Sequence, residues 1–138
     1  MVAEIELVLR LILATGIGGI IGLERESVHE PAGLRTHILI SLAACLITIT
    51  SVEYFNLPGT DTSRIAAGIV LGVGFIGAGA IMNRREDVKG ITTAASIWIV
   101  AALGLSVGAG NYLLSIATAV IVFFVLKIGK YEKKVFRK

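Results

Sequence analysis

Five apolar runs, 5–23, 36–52, 65–82, 91–108 and 112–128, divide the chain. Each is close to the ~20 residues that a helix rising about 1.5 Å per residue needs to cross roughly 30 Å of hydrocarbon. Polar turns separate them: 24–35 with Pro31 and Gly33, 53–64 with Pro58 and Gly59, 83–90, and a tight turn at 109–111. Gly and Pro in such polar stretches are strong reversal signals. The pattern predicts an all-α polytopic membrane protein of about five transmembrane helices, with a transmembrane domain over 1–130 and a basic tail over 131–138.

Composition agrees with that reading. With 55% hydrophobic and 17% charged residues and a mean hydropathy of +0.85, the chain has too little polar surface to coat a soluble globule of its size. Cys45 is the single cysteine, which excludes a disulfide-stapled scaffold. The net charge of +3 is unevenly placed, since six of the thirteen cations lie between Lys127 and Lys138. Arg25 and Arg35 follow the first run, and Arg84, Arg85 and Lys89 follow the third. Short basic loops resist translocation, so these sites define one side, and the expected topology is N-terminus outside and C-terminus cytoplasmic in a bacterial or archaeal plasma (inner) membrane. The first run lacks a basic leader and a small-residue cleavage site, and is read as a retained span. The tail is expected to rest on anionic headgroups; nucleic acid is not an expected partner.

Sixteen glycines change the picture further. Helix association in lipid relies on close backbone approach at small residues, and Gly18 and Gly22 form such a ladder with Ala14 on the first span. On the third, Gly68, Gly72 and Gly79 share one face, while Gly74 and Gly77 fall on the other. A helix small on both faces is expected to be central. Gly104 and Gly108 mark the fourth span, and the bulky fifth is expected to be peripheral and lipid-facing. The run Gly72-Val-Gly-Phe-Ile-Gly77 matches a dinucleotide fingerprint, but it lies inside an apolar span rather than between a strand and a helix, so packing is the better reading. Gly33 and Gly90, 57 positions apart, sit in similar contexts. Either a parallel two-helix repeat or chance similarity between glycine-rich spans accounts for this.

Charges at membrane depth need a reason. Arg10 is expected to snorkel from the first span to the outer interface, with a role in a buried ion pair as the alternative. Glu24, Arg25, Glu26, Arg35 and His37 can meet at the inner mouth; a self-neutralising salt-bridge network is favoured over a cation vestibule, because paired charges leave little field for a divalent ion. Asp61 precedes the third span as a helix cap, with an outer gate formed with Arg64 as a second role. No nucleophile and base, zinc spacing or phosphate loop stands out, so no catalytic residue, metal ligand or cofactor is expected and enzymatic function is not favoured.

The segments Gly22-Leu-Glu-Arg25, Ala32-Gly-Leu-Arg-Thr36, Arg64-Ile-Ala-Ala67, Gly72-Val-Gly-Phe-Ile-Gly-Ala-Gly-Ala80 and Gly90-Ile-Thr-Thr-Ala-Ala95 resemble, in order, the MgtC/SapB family of bacterial inner-membrane proteins. The resemblance runs from about Leu11 to Gly110. It implies a role in adaptation to low Mg²⁺, survival inside macrophages in pathogenic members, and restraint of the proton-driven ATP synthase through its membrane subunits. By matched position it points to Glu24, Arg35, Thr36, Arg64, Thr92 and Thr93; Arg25 and Asp61 join them as neighbouring charges. Longer members carry a soluble C-terminal domain, whereas this sequence ends at Lys138, and virulence-associated members have Asn where it has Thr92. Two functions follow: a non-enzymatic modulator that packs against a membrane-protein partner or a second copy of itself, or a small ion transporter or channel with charged mouths at Glu24/Arg35 and Asp61/Arg64.

Overall fold

The computed structural model describes residues 2–84 and 87–135, with side chains described outside 82–87 and 130–135. Five helices follow one another: α1 (Glu4–Ser27), α2 (Leu34–Tyr54), α3 (Ser63–Ala80), α4 (Ile91–Gly108) and α5 (Tyr112–Val135). Each contains a segment long and apolar enough to cross a membrane, as the five runs predict. The last helix continues past the expected boundary at 130 into the basic tail; residues 136–138 of that tail, and Arg85 in the loop count, lie outside the described residues.

Local chemistry sets the boundaries. The backbone after α1 reverses through His29, which takes a positive φ of 59°, and Pro31 prevents helix from resuming there. Beyond α2, the Thr60 hydroxyl accepts the Leu57 amide at 2.9 Å and so closes the loop between α2 and α3. The 83–90 turn is a small ribbon rather than an open loop: β1 (Met82–Arg84) and β2 (Asp87–Lys89) pair antiparallel, Met82 opposite Lys89. That pairing satisfies backbone groups that would otherwise be stranded between two spans. Gly90 then enters α4 at φ +91°, where any Cβ would overlap the Ala80 carbonyl.

The helix at the centre is α4, not α3. Half of the α4 span is buried, against 17% of α3 and 11% of α5. α4 touches every other helix, whereas α3 rests chiefly on α4 and barely meets α2. One apolar cluster joins α1, α2, α4 and α5 through Ile17, Ile21, Cys45, Val100, Val107 and Leu126. A second ties α3 to α2 and α4 through Ile69, Val73, Ala44, Ile97 and Ala101.

Glycines explain why α2 can be held from two sides. A Cβ on Gly18 would lie 2.7 Å from the His37 carbonyl oxygen, and one on Gly108 would lie 2.6 Å from that of Cys45; at Gly104 it would overlap the Ser41 carbonyl. Ser41 is thus pressed by α1 on one side and α4 on the other, and backbone-to-backbone contact replaces side-chain interdigitation. The third-span glycines behave differently. Gly68, Gly72, Gly74 and Gly79 have nothing within 4 Å of a Cβ position, and Gly77 meets only Ala94 at ordinary contact distance. Small residues on two faces therefore do not make α3 central within this chain; they leave it with a face that no other helix of the chain covers.

Candidate functional site

Polar residues gather where α1 ends and α2 and α4 begin. The last turn of α1 carries Glu24 and Arg25, whose side chains are only 2% and 5% exposed. They form an ion pair, with the Arg25 Nε donating to Glu24 Oε2 at 2.6 Å. Arg25 also reaches across to α5, Nη2 donating to the Leu126 carbonyl at 3.4 Å. The other Glu24 oxygen, Oε1, is buried and has no hydrogen-bond partner among the described residues. Leaving a buried acceptor unmade costs about 1–3 kcal/mol, so this oxygen marks a place where the fold gives up stability.

Beside the pair runs a thread of polar groups. Gly22 lets α2 approach α1 so closely that a Cβ there would lie 2.8 Å from the Leu34 Cα, which seats His37, fully buried, between α1 and α4. The Gly33 carbonyl can only accept, so Nδ1, 2.8 Å away, carries a proton; Nε2 lies 3.0 Å from the Ser96 hydroxyl oxygen. Ser96 also lies 2.8 Å from the Thr93 carbonyl, and the Thr93 hydroxyl donates to Glu30 Oε2 at 2.6 Å. Of this thread, sequence reasoning singled out His37 and Thr93. Ser96 stands three positions after Thr93 on the same helical face, a spacing that could have flagged it; Glu30, 63 positions from Thr93, gives no such signal.

The expected mixed network of five charges reduces to one ion pair. Glu26 accepts the Leu34 amide at 2.7 Å and so caps α2, while Arg35 is exposed and Thr36 half-buried. Thr92 lines a pocket of about 340 Å³ with Arg25, Val28, Glu30, Leu126 and Gly129.

At the other end of α1, Arg10 does not snorkel. It is 6% exposed, donating from Nη1 to the Gly108 carbonyl at 2.8 Å, from Nε to the Tyr112 hydroxyl at 2.9 Å and from Nη2 to Glu6 at 2.7 Å. Tyr112 closes the ring by donating to the same Glu6 oxygen at 2.7 Å. Three donors find three acceptors, so burial costs less than stretching to water. Asp61 accepts the Ser63 amide at 3.0 Å and its hydroxyl at 2.6 Å, which holds its carboxyl below the usual range. Among the described residues it forms no ion pair with Arg64, which instead borders an apolar groove of about 810 Å³ between α2 and α3. No group of three His, Cys, Asp or Glu lies close enough to hold a metal ion among the described residues.

The sequence matches the family model described as MgtC family over residues 11–134. It is 46% identical over 129 residues to the Escherichia coli (strain K12) protein named "Putative magnesium transporter YhiD", a match covering 89% of this chain and 60% of that one. Identity to "Protein SapB" of Bacillus subtilis (strain 168) is 45% over 115 residues, 78% of this chain and 49% of the relative. To "Protein MgtC" of Brucella abortus (strain 2308) it is 43% over 111 residues, 79% and 44% respectively. The chain thus spans roughly half the length of these curated relatives. No solved structure matches.

Proposed function

The chain belongs to the MgtC family and is a multi-pass membrane protein, and from that premise we propose that it is a non-enzymatic modulator serving adaptation to low Mg²⁺. It acts by packing α3 against a membrane-protein partner or a second copy of itself. One observation carries this reading: Gly18 and Gly22 of α1 and Gly104 and Gly108 of α4 are consumed in contacts with α2, while Gly68, Gly72, Gly74 and Gly79 have nothing within 4 Å of a Cβ position among the described residues. Small residues left uncovered on a span are the surfaces on which helices associate in lipid. Family resemblance suggests ATP synthase membrane subunits as partner and, in pathogens, an intramacrophage role; Thr92 in place of Asn weighs against the latter.

A photo-crosslinker at Leu71, 70% exposed, tests the reading in native membranes. Gly72→Leu is expected to abolish capture of the partner or second copy while insertion is unchanged, because a Cβ at Gly72 has nothing within 4 Å among the described residues. Undiminished capture would remove the main support.

A second reading, ion transport, draws on the name of the Escherichia coli relative and on the unpartnered Glu24 oxygen. Purified protein in sealed vesicles, with and without Glu24→Gln, decides it: Mg²⁺, Na⁺, K⁺ or H⁺ flux that depends on Glu24 favours transport, and its absence under every gradient leaves the modulator.

A further inference from the structure

We propose that the seam between α1 and α5 holds one anionic phospholipid of the leaflet on the side of the C-terminal tail, its acyl portion in an apolar groove and its phosphate against the open edge of Arg25. The groove, about 720 Å³, runs between α1 and α5 from Ile12 to Ile21 and is walled by Phe123 and Phe124. Nine residues at about 1.5 Å each make it roughly 14 Å long, close to the depth of one leaflet of a ~30 Å hydrocarbon core. Gly16 forms part of its lining and has nothing within 4 Å of a Cβ position.

Further along the same two helices, the chemistry changes from apolar to polar. The pocket of about 340 Å³ begins there, bordered by Arg25 and Thr92. Glu24 and the Leu126 carbonyl engage Nε and Nη2 of Arg25, and Nη1 has no hydrogen-bond partner among the described residues. A rigid guanidinium fixed on one edge and open on the other is suited to a phosphate oxygen. Lys127 adds a second positive charge at the rim, its Nζ 4.6 Å from the centre of the Phe123 ring that walls the groove. Glu30 is the opposing charge in the pocket, and one of its oxygens already accepts the Thr93 hydroxyl. The sequence places five further cations after Lys127, and basic pockets between spans recognise anionic headgroups. Length, apolar lining and charge thus match a phospholipid laid along α1 and α5 across the groove and the pocket that follows it.

Thermal unfolding of the full purified chain in detergent tests this, with added phosphatidylglycerol, phosphatidylcholine of the same chains, or inorganic phosphate. Phosphatidylglycerol is expected to raise Tm more than phosphatidylcholine, and inorganic phosphate to leave it unmoved. Gly16→Leu fills the groove and Gly129→Leu the headgroup pocket; neither position has an atom within 4 Å of the new Cβ. Each should weaken phosphatidylglycerol binding at least tenfold, and exposed Lys127, changed to Glu, should weaken it without filling space. Equal shifts by the two lipids, or variants that bind like the parent, overturn the proposal. A full shift from inorganic phosphate that Gly16→Leu leaves intact makes this a soluble-anion pocket instead, and crosslinks through Gly16 to a second copy make the groove a protein interface.

Discussion

Glu24 and Arg25 are neighbours in sequence, and both lose their water in the same turn of α1. Replacing one member of a buried pair is costlier than replacing both, because the survivor keeps an uncompensated charge. Glu24→Gln is therefore expected to lower stability by about 3–5 kcal/mol, and Glu24→Gln combined with Arg25→Met to recover much of that loss, as read from unfolding midpoints in detergent. Comparable losses for single and double variants would mean that the pair is not the stabilising unit. Asp61 offers a milder case in the loop between α2 and α3. Its carboxyl is depressed by the Ser63 hydroxyl and amide and, to a smaller extent, by Arg64. A depressed folded value means that its contribution is present above the unfolded pKa of about 3.9 and is lost as pH falls through the lower folded one. Ser63→Ala should move the Asp61 titration upward by NMR; an unmoved titration would assign the depression to another cause. Neither Arg10 nor Glu30 could be placed from sequence, because Tyr112 and Thr93, which bind them, lie 102 and 63 positions away.

Among the helices, the same small-residue signal has opposite outcomes. The five spans were legible, since run length and polar turns depend only on local composition. Which glycine ladder would be covered was not, because that depends on how helices cross. The hairpin between α3 and α4 was also missed: its strands are three residues each, too short for a periodicity to register. The two ladders can be separated experimentally. Gly104→Ala drives a methyl into the Ser41 carbonyl and should cost about 1–3 kcal/mol, as overpacking does. Gly72→Ala meets nothing and should be neutral or stabilising by up to about 1 kcal/mol through helix propensity. Similar midpoint shifts for the two variants would contradict the assignment of α4 as the covered helix and α3 as the uncovered one.

For the whole molecule, five spans among the described residues are expected to leave the two termini on opposite sides of the bilayer, with the end denser in Lys and Arg on the cytoplasmic side. Reporters fused ahead of Glu4 and after Lys138 should report outside and cytoplasm respectively; a C-terminal reporter on the outer face would reverse every loop. Arg10 and Arg25 anchor the two ends of α1, fifteen residues or about 22 Å apart, with apolar contacts between them. The candidate site was legible as a set of charged positions but not as a circuit, because burial separated residues that shared a loop, such as Arg25 and Arg35, and joined residues that did not.

The order in which these contacts become available has a consequence for biogenesis. α1 and α2 can close on each other as soon as both have left the ribosome, since each presents its partner surface to the other. α3 emerges next, yet the helix it rests on has not been made. Until α4 is inserted it has only its slight contact with α2 to hold it, and throughout that interval its glycines are open to whatever other membrane protein is being assembled nearby.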